Sequence, residues 1–369
     1  STQGYSSAAS DVYKRQEINM GVDAFRDSLY AMLKRNTFLN IKFENMLDTL
    51  GEMSRTDLYS YLKEWEQLTP LPFYSIGEPE LTKVVNKGGE EFFVLKVLVS
   101  NNSDYDGIIQ MNVLQNGWWY QPMEDPRARK KVEIAAHTSK EFVSVWEEQI
   151  RDVEINTMVS GNLPYMIRQS IGNVKQERNK IVKDTIYTLP ESSLEMPGEV
   201  IVDNEDSTLF VLSTPAVVGL LPKWLDKVED TSFKYSGISW WRAPLQWTAT
   251  TNAKYYGKYI RSAYVIKSGD GSQTATWKIP VPEAGQYELY YHVFKDDELR
   301  WNDRLQGEYH FRVAYDSEME DAYINLRKAN EGWEQLGTYY FSADTVRVVL
   351  TDECKLRSVT ADAVKIVKR

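Results

Sequence analysis

The residues of this chain that are best suited to chemistry are aromatic rings and arginines in its second half. The candidate ligand-binding residues are Trp240, Trp241, Arg242, Trp247, Tyr255, Tyr256, Arg300, Trp301 and Arg304. Flat apolar rings stack on the C–H faces of pyranose sugars, and forked guanidinium groups bind hydroxyl and carboxylate oxygens. The pattern therefore predicts a polysaccharide site, and the arginines favour an acidic polysaccharide. The alternative is that most of these rings fill a core or pack one domain against another.

Residues for catalysis and for metal binding are scarce. The chain has three histidines, His137, His292 and His310, and one cysteine, Cys354. It contains no HExxH or HxH motif, and a single cysteine excludes a disulfide framework and a cysteine-rich zinc site. His292 and His310 alternate with apolar neighbours, which predicts packing roles, and no histidine near Cys354 in the sequence would activate its thiol. We predict no catalytic residue, no metal, no cofactor and no enzymatic activity.

The turn at 203–207, with the sequence DNEDS, is rich in oxygen donors. Asp203, Asn204 and Asp206 are of the types that bind calcium, but their spacing is not that of an EF-hand loop. The same residue types are common in plain turns, which is the favoured interpretation. Asp362, within the string ADAVK, is predicted to have a structural role as a hydrogen-bond partner of a neighbouring turn.

Composition limits the class of function. A chain of 369 residues is expected to hold several domains, because single domains usually have about 100–200 residues. The net charge of −10 argues against a general nucleic-acid binder, which needs a basic surface. No apolar stretch approaches the about 20 residues of a membrane-spanning helix, so we predict no span within this sequence. The 11 tryptophans and 23 tyrosines indicate an aromatic-rich, mainly β protein.

The first 16 residues, STQGYSSAASDVYKRQ, do not share the patterns of the rest. They are rich in small polar residues, and they resemble a sequencing-adapter translation that recurs at the ends of metagenomic reading frames. We therefore leave 1–16 out of the fold prediction as a non-native or disordered leader, the alternative being a native flexible one. On the first interpretation the natural protein extends further upstream.

Apolar residues recur at helical spacing in 17–70. The spacing predicts one helix around 25–33 and a second around 43–50, which Gly51 is expected to end. A third helix is predicted from Thr56 through Trp65, and Pro70 is expected to follow it. This helical segment is too short to form a core of its own.

Short runs of alternating apolar residues, separated by turn residues, fill 71–195. Two such runs flank Lys87-Gly88-Gly89, which predicts a hairpin. The number and spacing of the runs predict an immunoglobulin-like β-sandwich. Residues 160–197 show few apolar alternations, and within them 173–184 are expected to be exposed with a short helix. The link between two domains is placed in this stretch and ends with ESSLEMPGE at 191–199.

The passage from helix to strand at 54–76 resembles the end of the catalytic region of zinc aminopeptidases of the aminopeptidase N type. The matching residues are Ser54, Asp57, Leu58, Trp65, Pro72, Tyr74 and Ile76. That family's catalytic residues lie in HExxH with a downstream glutamate and in a Gly-x-Met-Glu-Asn loop, and neither motif occurs here. The resemblance implies that 17–70 is the helical tail of a catalytic region encoded upstream. A generic linker between a helix and a strand is the alternative.

Residues 196–369 resemble the golvesin C-terminal-like domain, which is also found beside polysaccharide lyases such as xanthan lyase. The matching segments are 201–210 (IVDNEDSTLF), 262–294, the G-W-x-x-L-G-x-Y-x-F string at Gly332–Phe341 and the ADAVK string at Ala361–Lys365. The resemblance implies a jelly-roll-like β-sandwich of carbohydrate-binding type with no catalytic activity. The predicted fold class is thus mainly β with an N-terminal α-helical segment, in which an immunoglobulin-like sandwich is followed by a jelly-roll-like one.

An aromatic-rich insertion lies within this last segment. Its strings at Pro222–Leu225, Trp247 and Tyr256–Ala263 resemble bacterial membrane proteins that join a transporter-like membrane region to an aminopeptidase-like domain. The resemblance implies a membrane-anchored parent protein and an extracytoplasmic location, with a polysaccharide and the upstream aminopeptidase-like domain as partners. The predicted function is that of a non-catalytic C-terminal accessory region with a carbohydrate-binding domain. The alternatives are a purely structural scaffold that braces the upstream domain and, less favoured, an intact metallopeptidase.

Overall fold

The computed structural model describes residues 22–37, 42–54, 71–115, 125–158, 160–171, 174–179, 181–191, 194, 198–213, 234–238, 243–295, 307–316 and 318–369. The predicted leader at 1–16, the predicted helix at 56–65 and the string at Pro222–Leu225 lie outside these residues.

Two helices precede the strands. Helix α1 spans Val22–Arg35 and helix α2 spans Phe43–Ser54, which confirms the prediction from helical spacing. Gly51 lies inside α2, so the predicted helix end at Gly51 is wrong. A glycine weakens a helix interior by only about 1 kcal/mol relative to alanine, and this is not enough to end a helix by itself. Neither helix combines the length and the apolar character needed to cross a bilayer.

The strands of the first part lie between residues 74 and 190. They are β1 (Tyr74–Ile76), β2 (Glu80–Val85), β3 (Glu91–Asn101), β4 (Gly107–Gln115), β5 (Arg129–Ile134), β6 (Thr138–Trp146), β7 (Ile150–Asn156), β8 (Met166–Ser170), β9 (Val174–Arg178) and β10 (Thr185–Pro190). Sheet 1 has the order β10-β6-β3-β2-β9, with β1 also paired to β3, and sheet 2 has the order β5-β4-β7-β8.

The β2–β3 hairpin is confirmed, because the two strands pair antiparallel around the glycine turn. Gly89 in that turn has a φ of 84°, a left-handed conformation that glycine adopts without strain. The short helix predicted within 173–184 is wrong. Residues 174–178 form strand β9, which pairs in parallel with β2 and is mostly exposed. Its run of long polar residues favours a helix locally, but the free edge of β2 supplies backbone hydrogen bonds that an isolated turn of helix lacks.

The strands of the second part lie between residues 199 and 368. They are β11 (Glu199–Val202), β12 (Phe210–Leu212), β13 (Thr248–Thr251), β14 (Ser262–Lys267), β15 (Thr274–Pro280), β16 (Gly285–Val293), β17 (Glu308–Tyr315), β18 (Glu318–Asn325), β19 (Gly332–Phe341), β20 (Thr345–Thr351), β21 (Ser358–Ala361) and β22 (Val364–Lys368). Sheet 3 has the order β11-β22-β16-β19, sheet 4 the order β12-β15-β20-β17-β18, and sheet 5 the order β13-β14-β21.

The predicted pair of sandwiches, immunoglobulin-like and then jelly-roll-like, is wrong. The described strands form five small sheets arranged as a ring that resembles a five-bladed β-propeller. The mainly β content is as predicted. The error has a physical origin: alternation shows which face of a strand is buried, but not which other sheet covers that face. Short strands at regular spacing are common to sandwiches, jelly rolls and propellers.

Buried apolar side chains form two large clusters. The first cluster draws on sheets 1 and 2, with Phe142 and Trp146 among its largest members. The second draws on sheets 3, 4 and 5, with Trp277, Tyr291 and Phe311 at its centre. Complete burial of one such side chain contributes about 1.5–3 kcal/mol. These clusters hold the strands that position the polar residues described next.

Candidate functional site

A cluster of titratable residues lies inside the second part of the chain. We call it the charged cluster, and its members are Asp203, Tyr256, Arg261, His292 and Asp362. They come from loops beside β11, β14 and β22 and from strand β16. Arg261 is 8% exposed and Asp362 is 0% exposed, so both charges are removed from water. Buried charges are costly unless nearby opposite charges and hydrogen bonds compensate them.

Asp362 is the centre of this cluster. Its carboxylate oxygens each accept a hydrogen bond from the backbone N–H of Tyr256 at 3.2 Å, and Oδ2 lies 2.9 Å from Nδ1 of His292. The Asp362 carbonyl accepts from the indole N–H of Trp277 at 3.2 Å. The predicted structural role of Asp362, as a partner of a neighbouring turn, is confirmed. Burial raises the pKa of this carboxyl, and the neighbouring His292 and Arg261 oppose that rise.

Arg261 supplies the positive charge beside it. Its Nη1 donates to the carbonyl of Tyr255 at 3.2 Å. When the Gln169 amide is oriented with its oxygen toward the guanidinium, that oxygen accepts from Nη2 at 3.3 Å. Nε is buried without a hydrogen-bond partner in the described residues. Burial lowers the pKa of Arg261 to about 10, against the opposing attraction of Asp362 and Asp203.

Asp203 is the last member of the cluster, and it begins the turn at 203–207, for which calcium binding was the less favoured interpretation. Its Oδ1 accepts the backbone N–H of Asn204 at 2.8 Å, while Asp206 accepts from the hydroxyl of Thr208 at 2.8 Å. Burial raises the pKa of Asp203 well above its usual value, and the charge of Asp362 raises it further. These contacts are those of a plain turn. Among the residues that the structure describes, no three acidic, histidine or cysteine side chains are placed to hold a metal ion.

The charged cluster is built to hold backbone segments together. The Asp362 carboxylate is inaccessible and its oxygens accept hydrogen bonds from within the protein, so it offers no surface to a substrate. Of the two histidines predicted to pack, His292 does so: it contacts Asp362 and the ring of Trp333. The prediction for His310 is wrong, because His310 lies on the face of β17 opposite the core, where its Nε2 is 2.8 Å from Oδ1 of Asp321. Cys354 is a free thiol, and burial raises its pKa, which lowers its reactivity at neutral pH.

The charged cluster adjoins a joint between the first and second parts of the chain. We use "the joint" for residues 160–168 together with 253–261 and the facing Phe73 and Tyr74. The N–H of Leu163 donates to the carbonyl of Tyr259 at 3.0 Å, and the N–H of Arg261 donates back to the carbonyl of Leu163 at 2.6 Å. Further along, the N–H of Arg168 donates to the carbonyl of Ala253 at 3.1 Å. The two parts therefore share backbone hydrogen bonds, as strands of one sheet do.

Side chains reinforce the joint. The buried amide of Asn162 accepts from the N–H of Tyr74 at 2.9 Å and donates to the carbonyls of Tyr74 and Tyr259 at 2.8 and 3.3 Å. The rings of Phe73 and Tyr259 pack with their centroids 5.4 Å apart. Phe73 lies so close to Gly161 that a Cβ there would meet the ring at 2.0 Å, which is why this position requires a glycine.

The structure describes three of the nine predicted ligand-binding residues. Tyr255 is 4% exposed and packs edge-on against Phe294. Tyr256 packs on Trp333 at a centroid distance of 5.1 Å, and Trp247 lies partly buried against the second core. These three rings are thus in contact with the interior. Trp240, Trp241, Arg242, Arg300, Trp301 and Arg304 lie outside the described residues, so the predicted glycan site as a whole stays a prediction.

Three cations on sheet 4 are not among the predicted ligand-binding residues. Lys278, Arg312 and Arg347 lie on the adjacent strands β15, β17 and β20, on the face turned away from the core. Each stands between buried apolar residues of its own strand, so alternation alone places it outward. The strand register brings the three cations together, and the sequence alone does not reveal that register.

Comparison with known proteins gives one sequence match and several weak structural likenesses. The chain is similar to the solved structure of a Paenibacillus xanthan lyase, with 18% identity and a TM-score of 0.33 over 82% of this chain and 27% of that one. It is similar to Bacteroides uniformis β-glucuronidase 2 with 12% identity and a TM-score of 0.23, over 86% of this chain and 32% of that one. The chain therefore spans less than a third of either structure, and likenesses this weak support no conclusion about fold or function.

Neither these structures nor the curated proteins support the resemblance to zinc aminopeptidases, and no curated protein matches this chain. The match in sequence lies in the last part of the chain and includes the strings Gly332–Phe341 and Ala361–Lys365. It identifies residues 240–368 as a Golvesin C-terminal domain.

Proposed function

We propose that this chain is a non-catalytic accessory region in which residues 71–191 hold the Golvesin C-terminal domain in one fixed orientation. The observation that carries the proposal is the joint, where backbone hydrogen bonds and the buried Asn162 amide cross between the two parts. On the resemblances of its sequence, we place this region in an extracytoplasmic, membrane-anchored protein, where it braces an upstream domain.

A joint of this kind resists rotation of one part against the other. Each backbone hydrogen bond contributes about 0.5–1.5 kcal/mol net, and a buried polar group that loses its partner costs about 1–3 kcal/mol. Any hinge motion at Leu163 would break the pair of bonds with Tyr259 and Arg261 together. The two parts are therefore expected to unfold as one cooperative unit.

Calorimetry of the Asn162→Ala variant tests this proposal. The wild-type protein is expected to show one cooperative transition across both parts, and the variant two separated transitions, because the N–H of Tyr74 and the carbonyl of Tyr259 lose their shared partner. Asn86→Ala is the matched control, since Asn86 makes comparable hydrogen bonds within the β2–β3 turn and none at the joint. Two independent transitions in the wild-type protein would refute the proposal.

The absence of catalysis is part of the same proposal. It is supported by the burial of Asp362, which is 0% exposed and engaged by His292, so its carboxylate is not accessible to a substrate. Hydrolysis of aminoacyl-nitroanilides by the purified chain, above the rate of a blank, would overturn it.

Carbohydrate recognition by the Golvesin C-terminal domain is the second candidate function. The observation that favours it is the group of cations on the outer face of sheet 4, which have no ion-pair partner among the described residues. Its test is retention of the protein in native gels that contain neutral or acidic polysaccharides.

A further inference from the structure

Sheet 4 has one face in the core and one face turned outward. In β17 the residues Tyr309, Phe311 and Val313 are buried, while His310 and Arg312 alternate with them on the other face. The same alternation holds in β15, β18 and β20. We call the opposite side, carried by the outward residues of these strands, the outer face.

The strand register arranges the outer face in rungs. Lys278 of β15 stands opposite Arg347 of β20, which in turn stands opposite Ala314 of β17. In the next rung Thr276 stands opposite Val349, and Val349 opposite Arg312. Because neighbouring strands lie about 4.8 Å apart, the three cations fall on adjacent strands within a span of about 10 Å.

Two of these cations, Lys278 and Arg347, repel one another across their rung. Like charges on directly opposite residues destabilise a sheet, and Lys278 and Arg347 are such a pair. Among the described residues neither has an ion-pair partner, and the buried Nε of Arg312 has no hydrogen-bond partner. In a chain with a net charge of −10, a local excess of positive charge calls for an explanation outside the fold itself.

The far end of the outer face carries an exposed ring. Tyr323 stacks on His310 with an interplanar angle of 9° and a centroid distance of 4.9 Å, and it is 58% exposed. His310 is held by Asp321, whose Oδ1 lies 2.8 Å from Nε2, and by Glu353, whose Oε2 lies 3.3 Å from Nδ1. Both acids are thus engaged by the histidine. Asp321 also stands directly opposite Arg312 and offsets part of that positive charge, whereas Arg347 and Lys278 lie two and three strands away from β18.

We propose that the outer face of sheet 4 binds an anionic polysaccharide with uronate sugars, in which Lys278, Arg312 and Arg347 bind carboxylates while the ring of Tyr323 stacks on a sugar. This inference rests on carbohydrate recognition as the second candidate function and gives it a location and a ligand class. The chemistry is complementary: a uronate chain offers a row of carboxylates for the cations and C–H faces for the ring. Thr274 and Thr276, on the same face, offer hydroxyls to the sugar hydroxyls.

Affinity electrophoresis in gels that contain polygalacturonate, with dextran as the neutral polysaccharide, tests the inference. The wild-type protein is expected to be retarded by polygalacturonate and not by dextran, and added sodium chloride is expected to weaken the retardation. Replacing Lys278, Arg312 and Arg347 together by glutamine is expected to weaken binding about tenfold, because three exposed ion pairs of modest strength are lost together. The matched control replaces the exposed Lys183, Lys267 and Lys328 by glutamine, which changes net charge equally.

A second variant, with a single exposed substitution, separates an effect on binding from an effect on folding. Arg347 is exposed, so Arg347→Gln is expected to leave the melting temperature unchanged and to weaken binding about twofold, the effect of one of three equal exposed ion pairs. If the triple variant binds polygalacturonate as the wild type does, the location is wrong while carbohydrate recognition stands. If the wild type is retarded by no polysaccharide, both the inference and the second candidate function fail. Equal binding to double-stranded DNA or to phosphatidylglycerol vesicles would also overturn the inference, since the face would then be unselective.

Discussion

Replacing Arg261 with methionine is expected to destabilise the protein strongly. The substitution keeps an apolar side chain of similar length in the space while it removes the one positive charge that faces Asp362, Asp203 and Glu78. Asp362 is 0% exposed. Of the two cationic side chains that lower its pKa, Arg261 and His292, only His292 remains in the variant. Removal of one member of a buried ion pair costs about 3–5 kcal/mol, and because Arg261 attracts these carboxylates without a direct salt bridge, that range is an upper bound.

The lower end of that range is the better expectation. In the wild-type protein the buried Nε of Arg261 has no partner among the described residues, and burial lowers its pKa to about 10, so the arginine itself is not fully satisfied. A loss of about 3 kcal/mol corresponds to a fall of about 6–12 °C in melting temperature, at about 2–4 °C for each kcal/mol in a domain of this size.

The dependence of this loss on pH separates charge from packing. Burial already raises the pKa of Asp203 and Asp362, and loss of the cation raises both further. A carboxyl whose pKa is higher in the folded state favours folding at low pH, and this contribution disappears as the pH rises through the folded pKa. The variant is therefore expected to lose most at pH 8 and progressively less toward pH 5.

Calorimetry at several pH values measures both effects, with Arg178→Met as the control at an exposed arginine of β9, where a change below about 0.5 kcal/mol is expected. A variant at Arg261 as stable as the wild type would show that the charged cluster does not hold this region together. A loss that is constant between pH 5 and pH 8 would refute the electrostatic explanation in favour of packing.

Two further substitutions test neighbouring features. Asp203→Asn is expected to raise the melting temperature at pH 8, because burial raises the pKa of Asp203, with about 1.4 kcal/mol gained for each pKa unit of the shift. The gain should shrink as the pH falls and vanish below about pH 3, where the carboxyl is protonated in the folded and the unfolded state. Thermal melts that differ equally at pH 8 and pH 3 would contradict this. Gly161→Ala is expected to displace the Phe73 ring from the joint and to destabilise by about 1–3 kcal/mol, as overpacking does. Gly237→Ala, whose Cβ would meet nothing within 4 Å, is its control, and equal melting temperatures of the two variants would show that the close contact is relieved without cost.

Individual strands were the most predictable feature. Tyr287, Leu289, Tyr291 and Val293 recur at every second position, a pattern that predicts a strand with one buried face, and all four are buried in β16. Alternation is a local property, since successive side chains point to opposite faces whatever the strand pairs with. The helices α1 and α2 were predictable for the same reason, from a spacing that repeats within each helix.

Grouping of the strands into sheets was not predictable in this way. The joint brings Asn162 against Tyr259, and the charged cluster brings Asp203 against Asp362, over separations that no local pattern encodes. The aromatic residues near 255 suggested a binding surface because stacking on a sugar and packing in a core use the same apolar ring. Only the burial of Tyr255 distinguishes the two, and burial depends on the tertiary fold.

The group of cations on the outer face could not be predicted from the net charge of the chain, for a related reason. A net charge of −10 describes the whole chain, whereas Lys278, Arg312 and Arg347 come together only through the register of β15, β20 and β17. A fold that keeps like charges opposite each other is less stable than it needs to be. Neutralising the three cations should therefore preserve or raise thermal stability while it weakens binding of a polyanion. Damage to the joint should do the reverse, because Asn162 and the outer face share no contact, so the bracing role and the binding role can be separated by substitution.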